Sequence, residues 1–312
     1  MNEKISVVLT THNRLEDLPN AVESVLKQTY TDFELIVVND NSTDETQKYL
    51  EELTQNNSQI RVIFIGPEET KGGNYARNKG VALSKGKYVA FLDDDDVWFE
   101  SKLEKQVHLI QSNDQIGLVF CGLQKAMNGN FMGYNFPQSD DKGDVSKKIF
   151  THVFTVTSAI MLRRSVFFEV GGFDEQLTHW QEYDLTIRIA QKYQFDYVNE
   201  ILVLINDSTS KAPKLSNNLD KWLRSVELIN KKYSKEIESL TTGQKIEKDN
   251  YFLTDLAGRY YKMGNKKAHR QTLKKMWLLT GNKKYFVRYV FNLNYEQVAK
   301  IRLIFRRARK EF

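Results

Sequence analysis

Residues 88–92 form an apolar run that ends in four consecutive aspartates, Asp93, Asp94, Asp95 and Asp96. The run has the length and composition of a short buried strand. Adjacent carboxylates repel one another, and desolvating even one unpaired charge is costly. A strand that brings four of them to its C-terminal end therefore needs a compensating cation. A hard divalent ion with oxygen ligands, of the kind that bridges to phosphates, suits that place. A solvated acidic loop is the alternative for an acidic run taken alone.

The rest of the first half alternates strand and helix signals. Strands are expected over 5–10, 33–39, 61–65 and 88–92, and helices over 15–28, 44–53 and 72–84. Continuous apolar strands separated by helices mean a parallel sheet covered by helices, an α/β fold. Ligands of such sheets bind beyond the strand C-termini. The polar clusters fall at those ends: Thr10, Thr11, His12 and Asn13, then Asn39, Asp40, Asn41 and Ser42, then the aspartates. Residues 101–200 look α+β instead, with strands over 116–121, 131–134 and 155–162 and an Asn128-Gly129 turn. Further strands are expected over 195–198 and 201–205, after a helix over 182–192. From about residue 216 the pattern is helical. The boundary is placed in the polar stretch 208–217, giving a first domain over 1–212 and a C-terminal helical region over 213–312.

Charge separates the two. Residues 256–312 hold 16 Lys and Arg against 2 Asp and Glu, while the whole chain is only +5, which leaves residues 1–255 at −9. Opposite charges suggest two jobs. The single cysteine, Cys121, lies in an apolar run and excludes an intramolecular disulfide framework. It fits a buried thiol in a reducing cytoplasm. No signal-peptide pattern or membrane-length apolar run is seen, so the expected location is cytoplasmic.

Five segments resemble family 2 glycosyltransferases, in that family's order: residues 5–14, 37–44, 72–80, 91–96, and Gly171-Gly172-Phe173-Asp174 followed by Gln181-Glu182-Tyr183-Asp184-Leu185. Each is weak alone; five in order are strong. The resemblance spans roughly residues 4–205. It implies the GT-A fold, a Rossmann-like, mostly parallel sheet with helices on both faces. It also implies a UDP-sugar donor, Mn²⁺ or Mg²⁺, and a saccharide acceptor on a lipid carrier or glycoprotein.

By that resemblance, Asp40 reads the uracil ring, although an Asx-turn role suits it equally. Thr10, Thr11 and Asn13 line the nucleotide, the threonine hydroxyls facing base or ribose. Arg77, with its forked guanidinium, takes the nucleotide or diphosphate. Asp95 is the strongest metal ligand, Asp93 supports it, and Asp94 contacts the ribose. Glu182 is the general base that takes the acceptor hydroxyl's proton, with Asp184 as the fallback. Dipole complementation at a helix start is the plainer reading of both. Trp98 suits either sugar packing or the core, and His179 and Trp180 can shape the acceptor side. One base opposite the leaving group implies inversion, so an α-linked donor would give a β-linkage.

Outside the resemblance, Ile301, Leu303, Ile304 and Phe305 lie among Arg302, Arg306, Arg307, Arg309 and Lys310. Such a segment can lie on an anionic membrane at the inner face of the cell, or pack on a neighbouring helix or a second subunit of a homo-oligomer. No nucleic-acid motif accompanies it. Two rivals to the transferase reading are a decayed nucleotide-sugar-binding scaffold and a sugar nucleotidyltransferase. The intact acidic residues argue against the first, and the lack of a glycine-rich basic loop near residues 10–14 against the second.

Overall fold

The computed structural model describes residues 3–207, 218–291 and 293. The basic segment 302–310 and the polar stretch 208–217 lie outside the described residues. The chain divides into two compact units, Met1–Ile149 with Val153–Lys232, and Phe150–His152 with Tyr233–Phe312.

The first unit opens with β1 (Ile5–Thr11), α1 (Leu18–Leu26), β2 (Phe33–Asp40), α2 (Thr46–Asn56), β3 (Ile60–Ile65), α3 (Gly73–Ala82) and β4 (Tyr88–Asp93). β5 (Asp96–Trp98), α4 (Lys102–Gln111), β6 (Ile116–Met127) and β7 (Asn130–Asn135) follow. Then come β8 (Met161–Arg163), α5 (Arg164–Glu169), α6 (Gln181–Ala190), β9 (Gln194–Asp207) and α7 (Leu219–Lys232). They build one nine-stranded sheet in the order β3-β2-β1-β4-β8-β6-β9-β5, with β7 beside β6. β3, β2, β1 and β4 are mutually parallel. β4 meets β8 antiparallel, and β6 runs parallel to β9.

β1 is central to the parallel half, and all seven of its residues are buried, as a strand covered on both faces must be. Ile5, Val7 and Leu9 join a core with Leu18, Val22 and Val25 of α1 and Leu103 and Val107 of α4. The opposite face carries α3 at very close range. A Cβ on Gly80 would lie 2.5 Å from a Val8 methyl and 3.1 Å from one of Val38. Only a residue without a side chain lets α3 approach the sheet this closely.

Several local expectations are refined. The strand expected over 155–162 is a 3₁₀ turn, Thr157–Ala159, followed by β8. The two short strands expected near 195–205 are one long strand, β9. Asn128 and Gly129 form the β6–β7 turn, both left-handed with φ of +48° and +75°.

In the second unit, α8 (Ser234–Glu238), α9 (Thr242–Lys262), α10 (Lys266–Thr280) and α11 (Lys283–Phe291) are all helical. Thr241 and Gln244 form a reciprocal capping box at the start of α9. A small core of Ala257, Leu273 and Met276 holds the last three helices together, with Leu253, Tyr285 and Tyr289 packed on it. The first helix of the annex expected from residue 213, α7, belongs to the first unit. No helix among the described residues is long and apolar enough to cross a membrane.

Gly80→Ala should destabilise the protein by about 1–3 kcal/mol, because overpacking displaces the stiff Val8 side chain. Gly66→Ala, where a Cβ meets nothing within 4 Å, is the control and should be near neutral in chemical denaturation. Equal behaviour of the two variants would contradict close helix–sheet packing at α3.

Candidate active site

Register brings the polar clusters to one edge. Thr10 lies opposite Asp93 across β1–β4, and Thr11 lies opposite Asn39 across β1–β2. Both threonines are buried. The loop after β1 is clipped to the loop after β2. The Asn13 N–H donates to Ser42 Oγ (2.9 Å), and the Asn13 amide oxygen accepts from the Thr43 N–H (2.6 Å). His12 Nδ1 sits 2.5 Å from the Asp40 carbonyl oxygen. Asn13 and Asn41 adopt left-handed conformations, which asparagine tolerates in turns. Asp40 ends β2, is buried, and accepts a 2.6 Å hydrogen bond from the Thr70 hydroxyl.

The four aspartates are each matched to a partner. Arg77, on α3, donates to Asp93 at 2.6 Å. A Cβ on Gly73 would come within 3.2 Å of the Arg77 guanidinium, so this glycine gives the arginine room beside the helix start. Arg14 donates to Asp95 at 2.5 Å and lies 3.7 Å from Asp94. Asp93 and Asp95 are half-buried, while Asp94 and Asp96 point inward. Burial pushes the Asp94 carboxyl up to about 7, with Arg14 opposing and Asp95 adding to the rise. Asp96 is held well above the usual carboxylate range by burial and by Asp95 and Asp93.

Ser158, fully buried, ties the turn together. Its hydroxyl donates to Asp96 (2.5 Å) and accepts from the Asp93 N–H (3.1 Å), and its carbonyl accepts from Trp98 Nε1 (2.8 Å). Trp98 is 3% exposed, with the Lys102 ammonium 3.9 Å over its ring, so it is packed in the core. Cys121 is likewise buried, its thiol pushed up to about 11, which suits a packing role.

The second acidic pair is split by its surroundings. Asp184 is fully buried, and its two oxygens are taken by Arg188 (2.6 Å) and Lys232 of α7 (2.8 Å). Lys232 also reaches Asp174 at 2.8 Å, tying α7 to the Gly-Gly-Phe-Asp turn and α6. Glu182 lies two residues away, on the opposite side of α6, and is half-buried. Burial raises its carboxyl to about 7, its own backbone and Arg77 pull the other way, and Asp93 adds to the rise. Trp180, at the N-cap of α6, is left-handed (φ +58°), a costly conformation for a bulky residue. It is wedged edge-on between Tyr183 and Trp222, each 5.5 Å away. His179 is buried, and its N–H donates to Ser225 Oγ.

α3 and the 171–177 turn are laced together by two asparagines. Asn74 donates to the carbonyls of Asp174 and Leu177, and Asn78 donates to the Phe173 carbonyl while accepting from its N–H. This lacing holds Arg77 near the turn that leads into α6.

A sequence model of glycosyl transferase family 2 matches residues 6–171. The chain belongs to glycosyl transferase family 2. An uncharacterized glycosyltransferase of Methanocaldococcus jannaschii is 34% identical over 203 residues, 64% of this chain and 69% of that one. The Escherichia coli protein WfgD, a UDP-Glc:alpha-D-GlcNAc-diphosphoundecaprenol beta-1,3-glucosyltransferase, is 28% identical over 62% of this chain and 73% of its own length. S. aureus TarS 1–349 in complex with UDP-GlcNAc aligns with a TM-score of 0.62 at 17% identity, covering 90% of this chain and 82% of that one. The chain is thus a glycosyltransferase of GT-A fold acting on a nucleotide-sugar.

Among the described residues, no group of three or more His, Cys, Asp or Glu converges as a ready-made metal cage. The hard oxygen donors of Asp93 and Asp95 nevertheless fit a divalent ion of the Mg²⁺ type, which takes one or two carboxylates and completes its shell with substrate phosphates and water. Sequence reading passed over two residues here. Arg14 was signalled by its place directly after the Thr-Thr-His-Asn loop, whereas Ser158 lies 62 positions beyond Asp96 and carries no local signal.

Ser158→Ala removes a donor from buried Asp96 and should cost about 1–3 kcal/mol in equilibrium denaturation. A loss below about 0.5 kcal/mol, the range of ordinary surface changes, would show that the aspartate turn is held without it.

Proposed function

We infer that the protein is an inverting, metal-dependent transferase that moves a hexose or N-acetylhexosamine from a UDP-sugar to a saccharide acceptor, with Glu182 as general base. The observation that carries this reading is the division of labour on α6. Asp184 is consumed by two cations, while half-buried Glu182 has its carboxyl raised to about 7. A base whose pKa lies near the working pH is poised to take a proton and give it up again.

The nucleotide is placed at the β1, β2 and β4 edge, with Asp40 at the base, Thr10, Thr11 and Asn13 along it, Asp94 at the ribose and Arg77 at the diphosphate. Asp93 and Asp95 would hold Mn²⁺ or Mg²⁺, and such an ion, when bound, supplies Lewis-acid stabilisation of the departing UDP. Arg77 and Arg14 neutralise the carboxylates of this turn and stand ready as donors for phosphate oxygens. Glu182 accepts the proton of the acceptor hydroxyl as that oxygen attacks the anomeric carbon. The strained Trp180 fixes the start of α6 and so the aim of Glu182. Attack opposite the leaving UDP inverts the anomeric carbon.

The acceptor class follows the relatives. WfgD is named for an acceptor on diphosphoundecaprenol, and AmsB of Erwinia amylovora for amylovoran biosynthesis. A growing cell-surface saccharide on a lipid carrier is the acceptor this reading favours, with a protein-attached glycan as the other member of the class. The expected setting is the inner face of the cell membrane.

The test is a pH profile of UDP release from a panel of UDP-sugars with a saccharide acceptor. Because the base works deprotonated, kcat/KM should fall about tenfold per pH unit below a break near 7 and level off above it. Glu182→Gln should keep UDP binding and lose about 10²–10⁴-fold in transfer. Asp184→Asn should chiefly lose stability. Full activity in Glu182→Gln with loss in Asp184→Asn would reassign the base.

A further inference from the structure

Residues 256–291 contain ten Lys and Arg and no Asp or Glu. Along α10, Lys266, Arg270 and Lys274 recur every four residues and so form one row, which ends at Leu278. An open groove beside this row is lined by Lys266, Lys267, Arg270, Gln271, Lys274 and Tyr289. Arg270 donates to the Tyr289 carbonyl and lies over its ring, so part of this basic surface is held in place by α11.

Apolar side chains face outward next to these charges. Leu278 is 66% exposed and Phe291 68%, with Phe286, Val287 and Val290 also exposed. On α11 the positions 286, 287, 290 and 291 make a single stripe at helical spacing. The stripe meets α10 where the Phe286 ring packs 4.7 Å from that of Trp277. The core beneath is built from Leu273 and Met276 of α10 with Tyr285 and Tyr289 of α11 packed on it, none of them a member of the stripe. An exposed apolar stripe on α11, a helix that also lines the basic groove through Tyr289, marks an interaction surface.

We propose that the basic, apolar face of α10 and α11 docks on an anionic lipid bilayer, the Lys266–Lys274 row taking lipid phosphates and Leu278, Val287, Val290 and Phe291 entering the headgroup layer. Charge selects this occupant. A second copy pairing through this same face would bring two strongly positive surfaces together, and the sequence beyond residue 293 is itself basic, so neither complements the patch. Nucleic acid would answer the charge but leaves the aliphatic side chains Leu278, Val287 and Val290 without a role. A basic helix face bordered by exposed apolar residues is the pattern of interfacial binding. This surface is independent of the transfer chemistry at Glu182.

The test uses the full chain and sedimentation with vesicles of phosphatidylcholine alone or mixed with phosphatidylglycerol, over a salt series. Binding is expected to the mixed vesicles only and to weaken with salt. Leu278→Glu with Phe291→Glu should reduce it at least about tenfold, and Lys266, Arg270 and Lys274 changed to Gln should each reduce it about fivefold. All these variants should keep UDP binding and their circular dichroism. Three results would overturn the proposal: no binding to the mixed vesicles at low salt, binding unaffected by the variants, or self-association that the Phe291→Glu change abolishes in their absence.

Discussion

Four carboxylates at the end of one strand can be tolerated only if each is answered, and much of the first unit is arranged to answer them. Arg14 arrives on the loop after β1, meets Asp95 and lies 3.7 Å from Asp94. Arg77 arrives on α3 and meets Asp93. Ser158 arrives on the turn before β8 and meets Asp96. Each partner depends on a packing decision elsewhere: Gly80 lets α3 sit close to β1 and β2, Gly73 makes room for the Arg77 guanidinium, and the β4–β8 pairing brings residues 157–159 under the aspartates. The ion pairs and hydrogen bonds at this turn are therefore a product of the fold as a whole.

The same physics separates the two acidic residues of α6. Asp184 and Glu182 stand two positions apart and so face opposite ways. One is buried between Arg188 and Lys232, where a salt bridge fastens α7 and the 171–177 turn to α6. The other is half-buried, and burial raises its affinity for a proton.

Much of this was legible in the sequence because it is local. Buried parallel strands are continuous apolar runs, and their ends are marked by polar clusters such as Thr10 to Asn13 and Asn39 to Ser42. The Asn128-Gly129 turn follows from left-handed tolerance. What was not legible depends on distant residues. β5 is three residues long and exists because Asp96, Val97 and Trp98 pair with Ile205, Leu204 and Val203. The apolar stretch near 155–162 carries strand-like residues, yet Thr157–Ala159 turn so that the Ser158 backbone and hydroxyl can reach Trp98 and the aspartates. Lys232 looks like a surface residue at the end of an amphipathic helix, and only the fold shows that it pairs with buried Asp184.

The most direct test of the central claim, that the Asp93–Asp96 turn is the metal and diphosphate end of a nucleotide site, is calorimetric titration of UDP with Mn²⁺ present and with chelator. The account predicts binding that needs the ion, weakens at least about tenfold in chelator, and becomes insensitive to the ion in Asp95→Ala. Equal affinity with and without the ion, or full Mn²⁺ dependence in Asp95→Ala, would contradict it.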